Sequence, residues 1–413
     1  MNKSDSSLIR HILEKQGYES VDNADTADIF IVNTCSVRSH AETRALGYIS
    51  SLKKWRTDHG RVLCVVGCMA KRLADDIALN HPYVDLILGP DSYRNIAELI
   101  NQTRTQNTKI IETKISGELY CGIYPKTGKI SNFVSVTRGC DNYCSYCVVP
   151  YLRGRMRSRP AQDIANEIES LIQGGTKDIT LLGQNVNEYS FDNIGFAELL
   201  NMAAGIPGLF RLRFLTSHPK DLDDKTITAV KENKNICEWF HLPLQSGNNR
   251  ILALMSRKYT KETYIDLIEK IRSEIPHASI TTDIIVGFPT ETEEEFLETL
   301  QVLEKIKFDD AYMYRYSARK GTKAFEYESL PEETIKKRLQ ELLDFQTKIA
   351  NEKTKRMIGK TYEVLFESQA ENGTRGKTRG NRDVIVGQDI KLGEVHKVII
   401  KEVRGRTPIG QVV

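Results

Sequence analysis

Short apolar runs alternate with amphipathic stretches through the first hundred residues. A helical period over about 5–16 precedes IFIVN (29–33), and a helix over 40–54 leads to RVLCVVG (61–67). A helix from about Arg72, the run VDLILG (84–89) and a helix over 91–101 follow. Short buried strands alternating with helices predict a parallel sheet covered on both faces. Residues 101–120 are polar and without period, and a linker is expected over 102–125. The alternation then resumes, with strands predicted at FVSVT (133–137), DITLLG (178–183), RLRFLT (211–216), CEWFHL (237–242), SITTDIIVG (279–287) and AYMYRYS (311–317). Six such units fall short of the eight that close a full barrel, so a partial (β/α)6 barrel with a lateral opening is expected over 126–356, ending in a charged helix near 332–356. In the last segment, 359–413, TYEVLFES, RDVIVG and EVHKVIIKEV alternate apolar and polar residues around glycine-rich turns, which predicts a small antiparallel β-barrel. The N-terminal unit is taken as 1–101.

Composition changes this picture little. Of 413 residues 40% are hydrophobic and 27% charged, ordinary for a globular chain with more than one core. No apolar run approaches the roughly 20 residues that span a bilayer, and MNKSDSS lacks the core of a secretory signal. A cytoplasmic protein is expected, its eight cysteines reduced or bound to metal. The net charge is +3, but residues 353–413 carry 13 Lys and Arg against 7 Asp and Glu, leaving the remainder at −3. A basic tail on a mildly acidic body suggests a polyanion partner or a solvated surface, and charge alone does not choose.

Chemistry concentrates in TRGCDNYCSYCVVPYLRGR (137–155), where Cys140, Cys144 and Cys147 fall within eight residues. Structural zinc wants four ligands, and a plain electron-carrying cluster takes four cysteines. Three thiols leave one iron of a cubane open. That iron can bind S-adenosylmethionine, whose reductive cleavage releases a 5′-deoxyadenosyl radical. Zinc with a distant fourth ligand is the alternative.

RGCDNYCSYC resembles the signature of radical S-adenosylmethionine enzymes. NTCSVR (33–38), GCMAKR (67–72), LLGQNVN (181–187), TSHPKD (216–221), HLPLQSGN (241–248) and TTDIIVGFP (281–289) resemble the methylthiotransferase branch in order along the whole chain. The resemblance implies an N-terminal methylthiotransferase domain with a flavodoxin-like sheet, a radical core and a C-terminal TRAM domain that binds tRNA. It implies two [4Fe-4S] clusters and two uses of S-adenosylmethionine, one as methyl donor and one as radical source. The activity implied is insertion of a methylthio group at C2 of N6-isopentenyladenosine in the tRNA anticodon loop. Sister activities on threonylcarbamoyl-adenosine or a ribosomal-protein aspartate, and a non-catalytic iron–sulfur RNA-binding protein, stay open. An electron-donor protein and a monomer are expected; the sulfur source is open. Cys35 and Cys68 stand where the resemblance places two ligands of the auxiliary cluster, with a third cysteine expected just upstream of Met1. Cys64 and Cys237, in apolar strands, read as small hydrophobes, and Cys121 as an ordinary thiol.

The resemblance places Tyr146 beside the adenine of the cofactor. Gln184 and Asn185, past the second barrel strand, are candidates for its methionyl end, with loop capping by Asn as the competing role. Gly287 would admit the adenine close to the backbone. Thr216, Ser217, His218, His241 and Gln245 are cavity-lining candidates. Arg153, Arg155, Arg157 and Arg159 alternate, which would place them on one face of an extended segment toward RNA, unless they pair with the acidic body. Arg375, Lys377, Arg379 and Arg382 crowd one hairpin and are expected to meet phosphates. The acidic run ETEEEF (291–296) follows Pro289 and reads as a helix start.

Overall fold

The computed structural model describes residues 1–37, 39–57 and 60–413. Arg38, the last residue of NTCSVR, lies outside the described residues. Helix α1 (Asn2–Lys15) buries Leu8, Ile9, Ile12 and Leu13, the i, i+3, i+4 stripe of one face. It packs on a sheet of β1 (Ile29–Thr34), β2 (Val62–Gly67), β3 (Leu86–Leu88) and β4 (Ile110–Glu112), paired in that order and all parallel. Strand β2 is buried along its length, which explains its unbroken VLCVVG. Strand β4 lies inside the segment expected to be a linker. Its IIE run is too short to show a period, and pairing of Ile110 with Leu86 decides its state. The chain beyond it stays docked, with Tyr120 buried, stacked on Tyr93 at 5.8 Å and donating to the Pro90 carbonyl at 2.8 Å. Among the described residues β1 pairs only with β2, and its outer edge borders a groove lined by Ile9, Leu13, Ile29 and Phe30.

The central part begins with β5 (Ser131–Ser135). The two-residue strands β6 (Thr137–Arg138) and β7 (Arg157–Ser158) pair antiparallel and join the two ends of the cysteine segment. Then come β8 (Asp178–Leu182), the small hairpin β9 (Ser190–Phe191) and β10 (Ile194–Gly195), β11 (Arg211–Leu215), β12 (Trp239–His241), β13 (Ser279–Val286) and β14 (Asp310–Arg315). Strands β5, β8 and β11 form one parallel sheet and β12, β13 and β14 another, linked by a parallel bridge from Leu212 to Ile236. These six are the strands expected of the partial barrel. The apolar faces of the outer helices complete its core, as Ile164, Ile168 and Leu171 do beside Ile179 and Leu181.

A closed barrel ends the chain: β15 (Thr361–Ala370), β16 (Gly373–Thr378), β17 (Asp383–Val386), β18 (Val395–Arg404) and β19 (Thr407–Val412). The expected small barrel is antiparallel at four of its five strand pairs, while β17 and β19 pair parallel. Five strands cannot alternate direction around a closed ring, so one pair must run together. This barrel sits under the N-terminal ends of the central strands. Arg211 and Arg213, both buried, reach from β11 to the carbonyls of Lys377 (2.7 Å), Thr378 (2.9 Å) and Arg379 (2.7 Å). Among the described residues no helix is long and apolar enough to cross a membrane.

Candidate active site

The cysteine segment starts where β6 ends, at the C-terminal mouth of the barrel, the end at which barrel enzymes gather their chemistry. Gly139 lets the chain turn there, with φ at +82° and its missing Cβ directed at the Arg155 carbonyl. Cys140 and Cys144 are buried and Cys147 half-buried. Backbone bonds hold the loop independently of the sulfurs: Cys140 N–H to Gly154 O (3.2 Å), Ser145 N–H to Met255 O (3.0 Å) and Ala324 N–H to Ser145 O (2.8 Å). Asn142 donates to Cys140 Sγ at 3.6 Å and Arg257 to Cys144 Sγ at 3.5 Å. Arg257, buried, also donates to the Pro243 carbonyl and lies over the Tyr259 ring.

The donor set fits a cubane iron–sulfur cluster. The three thiols lie within electrostatic reach of one another, and burial with that mutual repulsion pushes the Cys147 thiol up to about 12. Buried thiols that resist ionisation become stable thiolates when a cation takes them. Among the described residues no three Cys, His or acidic side chains converge as one metal ion requires, whereas a cubane takes one thiolate per iron. Orphaned buried polar atoms surround the mouth: Ser145 Oγ, Ser217 Oγ and Gln245 Oε1 have no partner among the described residues. Thr216 and Gln245 hold φ at +75° and +72°, costly for residues with a Cβ. Strain and unspent hydrogen bonds at strand ends mark a site built for a polar ligand such as S-adenosylmethionine.

The structure sorts the other candidates. Gln184 accepts from Gly139 N–H at 2.6 Å and so props the cysteine loop. Asn185 is consumed within the loops, donating to Glu188 and Asp221 at 2.7 Å each and accepting from His218 N–H at 3.1 Å. It organises the strand ends, the role weighed against cofactor contact. Tyr146 packs on Ile251, Met255, Phe288 and Ala324. Burial and nearby Arg257 push His218 down to about 2, so it is a neutral lining group. His241 bonds Thr281 Oγ1 at 3.0 Å.

At Gly287 φ is +69° and a Cβ would meet Ile335 at 2.6 Å, so packing of helix Glu332–Lys355 by itself requires a glycine there. Beneath it Glu291, buried, accepts from Gly287 N–H and from Arg338, each at 3.0 Å. Burial raises this carboxyl to about 7. The folded chain therefore holds an extra proton between the ordinary carboxyl range and that value, and stability falls as pH rises through the window. Melting temperature is expected to fall between about pH 4.5 and 7, and E291Q to remove that part of the slope. Calorimetry across the window checks this.

The arginines after the loop do not share a face. Arg153 ends a helix (Val149–Arg153) and is buried between the N-terminal and central parts. Arg155 alone is largely exposed, bound to Asp141 at 3.1 Å, while Arg157 pairs with Asp91 and Arg159 with Asp163 and Glu167. Helical rather than extended backbone at Arg153 breaks the alternation. In the C-terminal hairpin, Arg375 is exposed and Lys377 half-buried. Arg379 grips Glu238 (2.7 Å) and the Ile236 carbonyl (2.6 Å), and Arg382 donates to the Asp309 carbonyl (2.7 Å). These two dock the barrel on the core.

Cys35 follows β1 and Cys68 follows β2, within electrostatic reach of each other. Gly67 repeats the device of Gly139, with φ +101° and its missing Cβ aimed at the Thr34 carbonyl. Arg153 Nε donates to Cys68 Sγ at 3.2 Å, and its Nη1 is buried without a partner among the described residues. Two thiols beside one unspent guanidinium nitrogen fit a sulfur-rich anionic group. Beside Cys35, Glu42 accepts from Ser36 and takes Arg72 and Arg319, both at 2.6 Å; Arg319 comes from the central part. Sequence reasoning missed Asp5, Glu42, Arg257 and Arg319, since isolated charges carry no spacing signal. Cys64 lies in the core of β2 and Cys237 is also buried.

A partial six-stranded barrel with a three-thiol loop at its mouth defines a radical S-adenosylmethionine enzyme. Residues 134–303 match the Radical SAM superfamily, and residues 1–89 match Uncharacterized protein family UPF0004. The tRNA-2-methylthio-N(6)-dimethylallyladenosine synthase of Thermoanaerobacter pseudethanolicus is 40% identical, over 100% of this chain and 90% of its own. The synthases of Parabacteroides distasonis and Acetivibrio thermocellus are each 42% identical, over 96% and 100% of this chain and 91% and 89% of theirs. The chain belongs to the tRNA-2-methylthio-N(6)-dimethylallyladenosine synthase family. Among solved structures, the radical S-adenosylmethionine methyltransferase TsrM of Kitasatospora setae shares the fold, with TM-score 0.55 and 14% identity over 75% of this chain and 71% of that one.

Proposed function

We propose that this chain inserts a methylthio group at C2 of N6-isopentenyladenosine in the tRNA anticodon loop. The observation that carries the reading is one loop bearing Cys140, Cys144 and Cys147 at the barrel mouth, with Cys68 of the other cysteine pair held to the same region through Arg153. Cys140, Cys144 and Cys147 would hold a cubane cluster, which together with S-adenosylmethionine would supply one-electron chemistry able to take hydrogen from an unactivated C–H bond. That bond explains the choice, since no side-chain base removes its proton at neutral pH.

The chain's own residues hold and shield. Gln184 and Gly139 set the loop's entry, Arg257 donates to the Cys144 sulfur, and neutral His218 adds no charge to the mouth. Cys35 and Cys68 supply two of the ligands of the sulfur-donating centre. Arg375 and Lys377 remain for tRNA phosphates, in a chain whose N-terminal unit extends through β4 to at least Glu112 and is followed by units at 126–356 and 359–413. The electron comes from a donor protein, and the enzyme works as a cytoplasmic monomer.

The test is anaerobic incubation of the iron-loaded protein with S-adenosylmethionine, a low-potential reductant and tRNA carrying or lacking the isopentenyl group. 5′-Deoxyadenosine with methylthiolation of the isopentenylated tRNA supports the reading. Radical cleavage without any tRNA product in a chain holding both clusters overturns the substrate.

A further inference from the structure

Asp5 lies in the first turn of α1, only 1% exposed, at the contact between the N-terminal and central parts. Its two oxygens are spent on two arginines: Oδ1 accepts from Arg138 Nη2 at 3.1 Å and Oδ2 from Arg153 Nη2 at 2.6 Å. Arg138 stands two residues before Cys140, and Arg153 six residues after Cys147. One carboxylate from the N-terminal part therefore ties both ends of the three-cysteine segment. The same Arg153 also donates to Cys68 Sγ, so Asp5 orients the group that touches the other cysteine pair.

Adhesion does not explain this joint. Three charged side chains, all less than a tenth exposed, are costly to desolvate, and apolar residues of similar volume would hold two surfaces together at least as well. Ion pairs with two directional bonds supply register instead. Register matters here because sulfur must meet carbon across the gap between two centres, and misplacement of about 1 Å can cost roughly 100-fold in rate.

We propose that Asp5 is a positioning residue that registers the Cys35/Cys68 pair against the Cys140/Cys144/Cys147 loop through Arg138 and Arg153. It thereby governs how often radical initiation ends in methylthio transfer rather than in unproductive cofactor cleavage. The proposal rests on the function given above.

The test is D5N, which keeps volume and removes charge, in the iron-loaded protein with isopentenylated tRNA. 5′-Deoxyadenosine formation is expected to stay within about twofold of wild type, while methylthiolated product per 5′-deoxyadenosine falls at least about tenfold. Hydrogen exchange read by mass spectrometry, independent of turnover, is expected to rise at residues 66–70 and 136–140 and not in the C-terminal barrel. R138Q removes one strut only and gives a smaller shift of the same ratio, which keeps the test decisive should D5N fold poorly. An unchanged ratio in both variants, or product and cleavage falling in parallel, overturns the proposal. Absence of 5′-deoxyadenosine from wild type overturns the functional reading and this proposal with it.

Discussion

C144A is expected to abolish 5′-deoxyadenosine formation, by at least about a thousandfold, while the fold survives. Two thiols cannot retain a cubane that needs three, and Cys144 is the middle ligand, the one Arg257 faces. The effect should exceed the 10- to 100-fold typical of losing a partner around a ligand, because the ligand itself goes. Fold retention follows from the loop's backbone bonds, Ser145 N–H to Met255 O and Ala324 N–H to Ser145 O, which involve no sulfur. Iron and sulfide counts after anaerobic loading should drop by about four each per chain, with an unchanged far-ultraviolet circular dichroism spectrum. Persistent 5′-deoxyadenosine would refute the assignment of these thiols.

G139A is expected to be nearly as severe through a purely steric route. Its Cβ would lie 2.0 Å from the Arg155 carbonyl oxygen and 2.6 Å from that of Gly154, and backbone atoms cannot rotate away. The left-handed φ alone costs about 1 kcal/mol, so the clash must supply the rest by displacing the β6–β7 end of the loop. G117A is the control, with φ +83° and nothing within 4 Å of the added Cβ. Iron retention is expected to fall below about half in G139A and to stay at wild-type level in G117A, whose cost is conformational only. Equal retention in both would show that the close approach is not needed.

The partial barrel was legible because its strands are apolar runs separated by helices of regular period, as at DITLLG and SITTDIIVG. The three thiols were legible because one loop carries them, so spacing and geometry coincide. Strand β4 was hidden, since three residues hold no period and their state comes from β3. The parallel β17–β19 pair was hidden too, because strand direction around a closed ring is set by closure and leaves no local trace.

The sequence by itself determined the fold class and the family, both of which follow from contiguous residues. Only the tertiary structure decided what the arginines do. Arg153 turned from an RNA candidate into the contact between Asp5 and Cys68, and Arg379 and Arg382 became docking groups. A charge's role depends on the partner that folding brings to it, here across 148 residues for Asp5 and Arg153 and 141 for Glu238 and Arg379. Such pairings are written in space, where local spacing carries no record of them.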